Sequence, residues 1–299
     1  MRGRVLLSTV VLALVSTAAA VGGLAQFIDL DLLPEQPADL LPVQDPELQR
    51  SLNELAAEQG LDALIDKKDF AVALVVLDEG TDYRLAMLNG HEMIYAASLP
   101  KIAILFAAMV AAQEEGRPID EALDEDLNRM IRVSCNDCAT RVMEWVGRDE
   151  LLDILQRPEY AFYNRNLTGG LWVGKDYAAG PAFRRDPVAG LSHGATAFQV
   201  ARLYYRLAAG SLVDESHSEK MREIMSDPGI NHKFVKGLSS FEDVRMLRKS
   251  GSWRNYHADS ALVEHDGGRY ILVALVEASR GEQALQELAR GVHTMLTGG

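Results

Sequence analysis

The sequence predicts an α+β fold: a mainly antiparallel five-stranded sheet flanked by helices, with an inserted all-helical subdomain. Three observations lead there. β-rich runs lie near both ends of the region after residue 47, helical periods fill the middle, and no repeated βα alternation runs through the chain.

Taken in order, Arg2 and Arg4 precede an apolar run over residues 5–20, and Ala18-Ala19-Ala20 offers a small-residue cleavage site. This is the pattern of a secretory signal peptide. The apolar run extends through residue 25, which also suits an uncleaved single-span membrane anchor. Residues 1–25 are therefore expected to export the chain to the periplasm or the cell exterior, cut or anchored. Residues 26–46 hold Pro34, Pro37, Pro42 and Pro46 without a sustained period and are expected to be a linker, so the folded domain is expected over residues 47–299.

Pro46 and Glu47 open a helix whose apolar stripe is Leu48, Leu52, Leu55 and Ala56, with Gly60 at its end. Residues 70–77 and 83–88 read as a hairpin around Asp78-Glu79-Gly80. A long helix is predicted from near Ser98 to Glu115, stopped by Gly116 and Pro118, followed by helices over 124–133 and 137–146. Residues 157–192 show no clear period and are rich in Gly and Pro, a loop of the length that usually serves function or is disordered. Helices over 196–209 and 218–226, strands over 245–249, 260–265 and 270–277, and an amphipathic helix over 281–296 complete the domain.

The chain of 299 residues is 48% hydrophobic, ample for one core, and its net charge is −13. An acidic surface disfavours nucleic acid, which needs a Lys/Arg footprint, and also disfavours anionic lipid. No nucleic-acid partner is expected, and the chain is expected to be a monomer. The two cysteines, Cys135 and Cys138, lack the further ligands a zinc site needs. Either a local disulfide or two half-buried thiols fits them, and no chemistry is assigned to them.

Three short patterns occur in order: Ser98-Leu99-Pro100-Lys101, Ser134-Cys135-Asn136 and Lys249-Ser250-Gly251. A serine hydroxyl becomes a useful nucleophile when a neighbour takes its proton. Positions i and i+3 of a helix share a face, so Lys101 is expected to reach Ser98. Lysine acts as a base only if its pKa falls, and the apolar run Ile102-Ala103-Ile104-Leu105-Phe106 and a second cation, Lys249, both push it down. Pro100 fits only a first helical turn, which places Ser98 at a helix N-terminus, where free N–H groups and the dipole favour developing negative charge. On the opposite wall, Lys249 and Ser250 are expected to bind a substrate carboxylate, Gly251 to allow close backbone approach, and Ser252 to offer a second oxyanion N–H. Ser134 is expected to relay a proton to the leaving nitrogen, and Asn136 to hold the substrate amide. Arg254 is a further carboxylate-binding candidate, and Trp172, Trp253 and Tyr256 either line a cleft or simply pack.

Each pattern alone is weak. S-x-x-K arises by chance on the order of once per few hundred residues, and Ser51-Leu52-Asn53 also matches the second pattern. Their combination, each in the local context its chemistry needs, carries the reading. At these residues the chain resembles the class A β-lactamases and the wider penicillin-binding serine hydrolases, over roughly residues 47–299. The resemblance implies a β-lactamase/transpeptidase-like fold, an acyl-enzyme intermediate, no metal or cofactor, and a small-molecule or peptide substrate bearing a carboxylate. It also implies β-lactam hydrolysis, with D-alanyl peptide carboxypeptidase or transpeptidase chemistry, or a non-turnover sensor of β-lactams or wall fragments, as alternatives.

The likeness breaks at three places. The loop after the second motif, about residues 160–191, has no glutamate where class A enzymes carry the residue that activates the deacylating water; Glu159 and Asp176 are the nearest acids. The stretch from Lys101 to Ser134 is short, and Cys135 stands where aspartate is usual. A rival nucleophile is Ser192 in Gly190-Leu191-Ser192-His193-Gly194, a G-x-S-x-G match that requires a strand immediately before it.

Overall fold

A computed structural model describes residues 38–298. The segments 1–25 and 26–37, read above as a signal or anchor and as linker, lie outside the described residues. Among those described, no helix is long and apolar enough to cross a membrane. Residues 38–45, expected in the linker, pack on the domain instead: Leu40 is buried, and Asp39 pairs with Arg202. Asp45 caps the first helix by accepting from the Glu47 and Leu48 N–H groups.

The fold is α+β, as the sequence predicts. Helices α1 (Pro46–Glu58) and α2 (Asp62–Asp66) precede strands β1 (Phe70–Leu77), β2 (Tyr83–Leu88) and β3 (Ile94–Tyr95). Four helices follow: α3 (Lys101–Glu115), α4 (Glu121–Arg132), α5 (Asn136–Val146) and α6 (Arg148–Gln156). The long loop holds only short strands, β4 (Tyr163–Asn164), β5 (Gly169–Gly170), β6 (Trp172–Val173) and β7 (His193–Ala195). Then come α7 (Ala197–Ala208), α8 (Glu215–Met225), α9 (Phe234–Leu238), β8 (Arg245–Trp253), β9 (Tyr256–His265), β10 (Gly268–Glu277) and α10 (Gly281–Thr297).

The main sheet runs β2-β1-β10-β9-β8 and is antiparallel throughout, so the two chain-distant groups of strands meet at β1 and β10. Strand β1 reads as an unbroken apolar run because both faces of the sheet are covered. Phe70, Val72 and Leu74 pack with Leu48, Leu52, Leu285 and Leu288 of α1 and α10. Ala71, Ala73 and Val75 face the cluster built by α3 and α7. Helix α3 is buried on every side from Lys101 to Ala112. A helix apolar all round belongs inside a core, and this one joins the sheet to the helical insertion. It therefore carries Lys101 into the interior.

Strand β8 is the sheet edge nearest the insertion. Its register on β9 pairs Lys249 with Ser260, Ser250 with Asp259 and Gly251 with Ala258. A fully buried ion pair fixes this edge. Arg248 Nε and Nη2 donate to Asp259 Oδ1 and Oδ2 at 2.8 and 2.7 Å, and Asp259 also accepts from the Phe234 N–H at 3.1 Å. Removing one member leaves an uncompensated buried charge. The Asp259→Ala variant is expected to lose about 3–5 kcal/mol of stability, read as a lowered denaturation midpoint in urea.

Candidate active site

Residues 96–100 form tight turns rather than the start of an α-helix. Ala96 O accepts from Leu99 N, Ser98 O from Lys101 N and Leu99 O from Ile102 N, all i to i+3 bonds. Ala97 has φ of 51° and Pro100 is the helix N-cap, so regular α3 begins only at Lys101. The sequence expectation of Ser98 on the helix itself is corrected by these two residues. A left-handed Ala97 cannot belong to a right-handed helix, and the i to i+3 bonding keeps Ser98 in tight turns ahead of α3. Ser98 is half-buried, and its N–H has no backbone partner among the described residues.

The second motif lies on the turn between α4 and α5. Ser134 takes a left-handed φ of 60°, reversing the chain out of α4. Its carbonyl accepts from Lys101 Nζ at 2.7 Å, and Asn136 Oδ1 accepts from the same amine at 2.8 Å. Ser134 Oγ stands 3.5 Å from Lys101 Nζ and accepts from Lys249 Nζ at 3.0 Å, so it bridges the two lysines. The expected direct bond from Lys101 to Ser98 Oγ is not among the hydrogen bonds of the described residues. The two acceptors on the second motif hold the amine instead.

Burial lowers the Lys101 pKa to about 7. Lys249, wholly enclosed, is held well below its ordinary value by burial first and by the Lys101 charge second. A neutral lysine amine has two N–H donors and one lone pair. In the neutral form, donation to the two carbonyl oxygens would leave the Lys101 lone pair for a hydroxyl, with Ser134 Oγ 3.5 Å away.

The third motif closes the site. A Cβ at Gly251 would lie 2.1 Å from Ala96 O and 2.7 Å from the N atoms of Ser98 and Leu99. Glycine is thus required for β8 to lie against the serine turn. Lys249 Nζ also donates to Ser250 O at 2.8 Å. Ser250 is buried, with its Oγ 3.3 Å from His232 Nε2. Lys233, absent from every sequence pattern, is buried beneath this edge. It donates to Gly251 O, to Ser252 Oγ at 2.8 Å and to Ala258 O at 3.1 Å, and burial lowers its pKa to about 8.

A cavity of about 390 Å³ opens on Ser98, Asn136 and Ser252, with Trp253 at 56% exposure on its rim. Tyr177 and His193 also line it; sequence reasoning missed both, Tyr177 because it falls in the aperiodic loop and His193 because it enters only as part of the G-x-S-x-G match. Tyr177 Oη donates to Ala97 O at 3.2 Å, and the Lys101 amine lies 4.3 Å from its ring centre. Burial holds this phenol well above its usual range and lowers His193 to about 4, so neither is charged at neutral pH. His193 Nε2 bonds the Lys175 carbonyl at 3.0 Å, which fixes it as the protonated nitrogen.

The remaining candidates fall elsewhere. Arg254 is exposed, 5.7 Å from the Trp253 ring, and does not line the cavity. Trp172 is buried and donates to Arg184 O, while Tyr256 packs edge-on against Tyr95; neither lines the cavity. Asp176 does line it, but Arg148 holds its carboxylate at 2.7 and 2.9 Å. Glu159 is exposed. Ser192 is followed, not preceded, by strand β7, so the G-x-S-x-G rival lacks its elbow. Ser51 and Asn53 lie on α1, where Ser51 Oγ donates to the Glu47 carbonyl within the helix. Cys135 and Cys138 form a disulfide.

The sequence model of the beta-lactamase enzyme family matches residues 122–296, more than half of the chain, a span that includes the second and third motifs. Among solved structures, the chain is similar to PBP-A at 18% identity and a TM-score of 0.66, over 87% of this chain and 100% of that one. It is similar to a beta-lactamase from Sphaerobacter thermophilus DSM 20745 at 17% identity and a TM-score of 0.63, over 81% of this chain and 95% of that one. A class A beta-lactamase from Bacteroides cellulosilyticus DSM 14838 gives 14% identity and a TM-score of 0.63, over 84% and 99% of the two chains. At these identities the likeness shows a common fold. No curated protein matches the sequence.

The Gly251→Ala variant is expected to fold and to lose reactivity of Ser98 toward an acylating probe by about 10²-fold, because the added methyl displaces the serine turn. Probe labelling followed by mass spectrometry reads this.

Proposed function

The chain belongs to the beta-lactamase enzyme family, and on that premise we propose that it is a serine hydrolase that opens β-lactam amide bonds through an acyl-enzyme on Ser98. The observation that carries the reading is the Lys101 amine, brought to a pKa of about 7 with both N–H donors engaged by Ser134 O and Asn136 Oδ1. A base with a pKa near the working pH is the efficient one.

In this reading Lys101 takes the Ser98 proton as Oγ bonds the lactam carbonyl carbon. The N–H groups of Ser98 and Ser252 face the developing oxyanion. When the C–N bond breaks, the proton passes from Lys101 through Ser134 Oγ to the leaving nitrogen. Lys249 fixes Ser134 Oγ at 3.0 Å, and it and Ser250 offer N–H and O–H donors on the side from which the substrate carboxylate would approach. Asn136 meets the acyl amide from the cavity wall.

A second reading has the acyl group persist, as in a β-lactam or wall-fragment sensor. Its support is specific: among the described residues, the one carboxylate lining the cavity, Asp176, is engaged by Arg148. A PBP-A mutant, 19% identical, has been captured as an acyl-enzyme complex with penicillin G. Acylation on Ser98 is common to both readings and to D-alanyl peptide chemistry.

Penicillin G mixed with the wild type is expected to give a mass adduct on Ser98, and none with Ser98→Ala. Labelling of the alanine variant at the wild-type rate would discard the mechanism. Turnover of a chromogenic cephalosporin separates hydrolysis from a lasting adduct. The Lys101→Ala variant is expected to acylate about 10²–10⁴-fold more slowly. Since the base must be unprotonated, the acylation rate is expected to fall roughly tenfold per pH unit below about 7 and to level off above it. Stopped-flow acylation across pH 5–9 checks that profile.

A further inference from the structure

Within the second motif, a disulfide joins Cys135, the N-cap of α5, to Cys138 in that helix's first turn. The two residues differ in exposure. Cys135 is half-buried and Cys138 is fully buried. Each has a neighbour that favours a thiolate, although Cys138 is packed in the apolar core and the Arg141 guanidinium also pairs with Asp126. Cys135 Sγ accepts from the Cys138 N–H at 3.2 Å at the positive end of α5, an 11-residue helix. Arg141 Nη2 lies 3.6 Å from Cys138 Sγ. A cation and a helix N-terminus are the two surroundings that stabilise a thiolate, and a disulfide whose reduced form is stabilised is the more easily reduced one.

The cysteines are also wired to the base. Cys135 lies between the two residues whose oxygens hold Lys101 Nζ, at 2.7 and 2.8 Å. Ser134 keeps a left-handed φ of 60°, a conformation that costs a serine free energy and persists only when its surroundings impose it. The four-residue ring closed by the disulfide is the next covalent constraint along the chain from that turn.

We propose that Cys135–Cys138 is a redox site that exchanges with dithiol reductants, and that its reduction loosens the turn holding Lys101. A reductant thiolate attacks Sγ of Cys135, the less buried of the two residues. The S–S bond breaks, and Cys138 leaves as a thiolate beside Arg141 and takes up a proton. The second thiolate of the reductant then attacks its own sulfur in the mixed disulfide and releases Cys135 as a thiolate on the α5 N–H groups. Two electrons pass to the protein, and the dithiol becomes a disulfide. In the reduced chain Ser134 is free to relax, its carbonyl turns from Lys101, and acylation slows. This last step rests on the function proposed above; the exchange chemistry does not.

The test uses the full chain. After titration with dithiothreitol under native conditions, with circular dichroism unchanged, removal of the reductant at low pH and alkylation in denaturant are expected to add two carbamidomethyl groups, on Cys135 and Cys138. The Arg141→Met variant, whose residue is surface-exposed, is expected to need roughly tenfold more reductant and to acylate normally when oxidised. Hydrogen exchange at residues 133–138 is expected to speed up on reduction, and penicillin acylation to fall at least tenfold and recover on reoxidation. A disulfide that resists dithiothreitol until the chain unfolds would overturn the redox site. Reduction that leaves both exchange and acylation unmoved would overturn its link to Lys101. If neither redox state is acylated, the function on Ser98 fails, and thiol titration with hydrogen exchange still decides the redox site.

Discussion

One buried amine organises this molecule. Lys101 sits on a helix with apolar neighbours on every side, and the two oxygens that hold it come from a single turn of the helical insertion. A charged ammonium in that position is costly, and the group responds by giving up its proton more readily. The oxygens matter as much as the burial. They use the donors of the neutral amine and so orient what remains. Sheet, insertion and long loop each contribute one wall to this arrangement.

The electrostatics of the surrounding interior are unbalanced. Lys101, Lys249, Lys233 and Arg248 are all buried in the neighbourhood of β8, and Asp259 is the buried carboxylate there, already engaged by Arg248. The hydrogen-bond acceptors of the three lysines are all neutral: backbone carbonyls, hydroxyls and an amide oxygen. All three have lowered pKa values, with burial the main cause and mutual repulsion adding at Lys249. An acidic protein thus carries a cluster of buried basic residues, which burial pulls toward neutrality.

Much of the fold was legible because its signals are local. Strands β1, β2 and β10 are long apolar or alternating runs, and α3 is a long apolar run with a Gly-Pro stop. The five-residue helices α2 and α9 are too short to show a period. Helix α6 did have a signal, with Leu151, Leu152, Ile154 and Leu155 behind Asp149 and Glu150, but it abuts α5 across the single residue Gly147 and hid in its shadow. Of the site, the three motifs announced themselves by spacing and context. Tyr177, His193 and Lys233 did not, because nothing short-range distinguishes a tyrosine, histidine or lysine that lines a cavity from one in solvent. For Trp172 and Tyr256 the sequence leaves lining and packing open, since an aromatic residue near a cleft packs as readily as it lines, and both pack. The start of α3 was misplaced because a left-handed alanine leaves no mark in sequence.

The placing of Lys101 also sets reactivity against durability. An interior that holds an amine for chemistry gives up the better packing and lower desolvation cost of an apolar side chain of similar length. A chain with Lys101→Met would keep the helix, lose the base and escape the penalty of hiding a cation. Selection for heat resistance alone would therefore tend to erase the residue on which the proposed reaction turns, and its burial marks the robustness this scaffold gives up to hold an amine there.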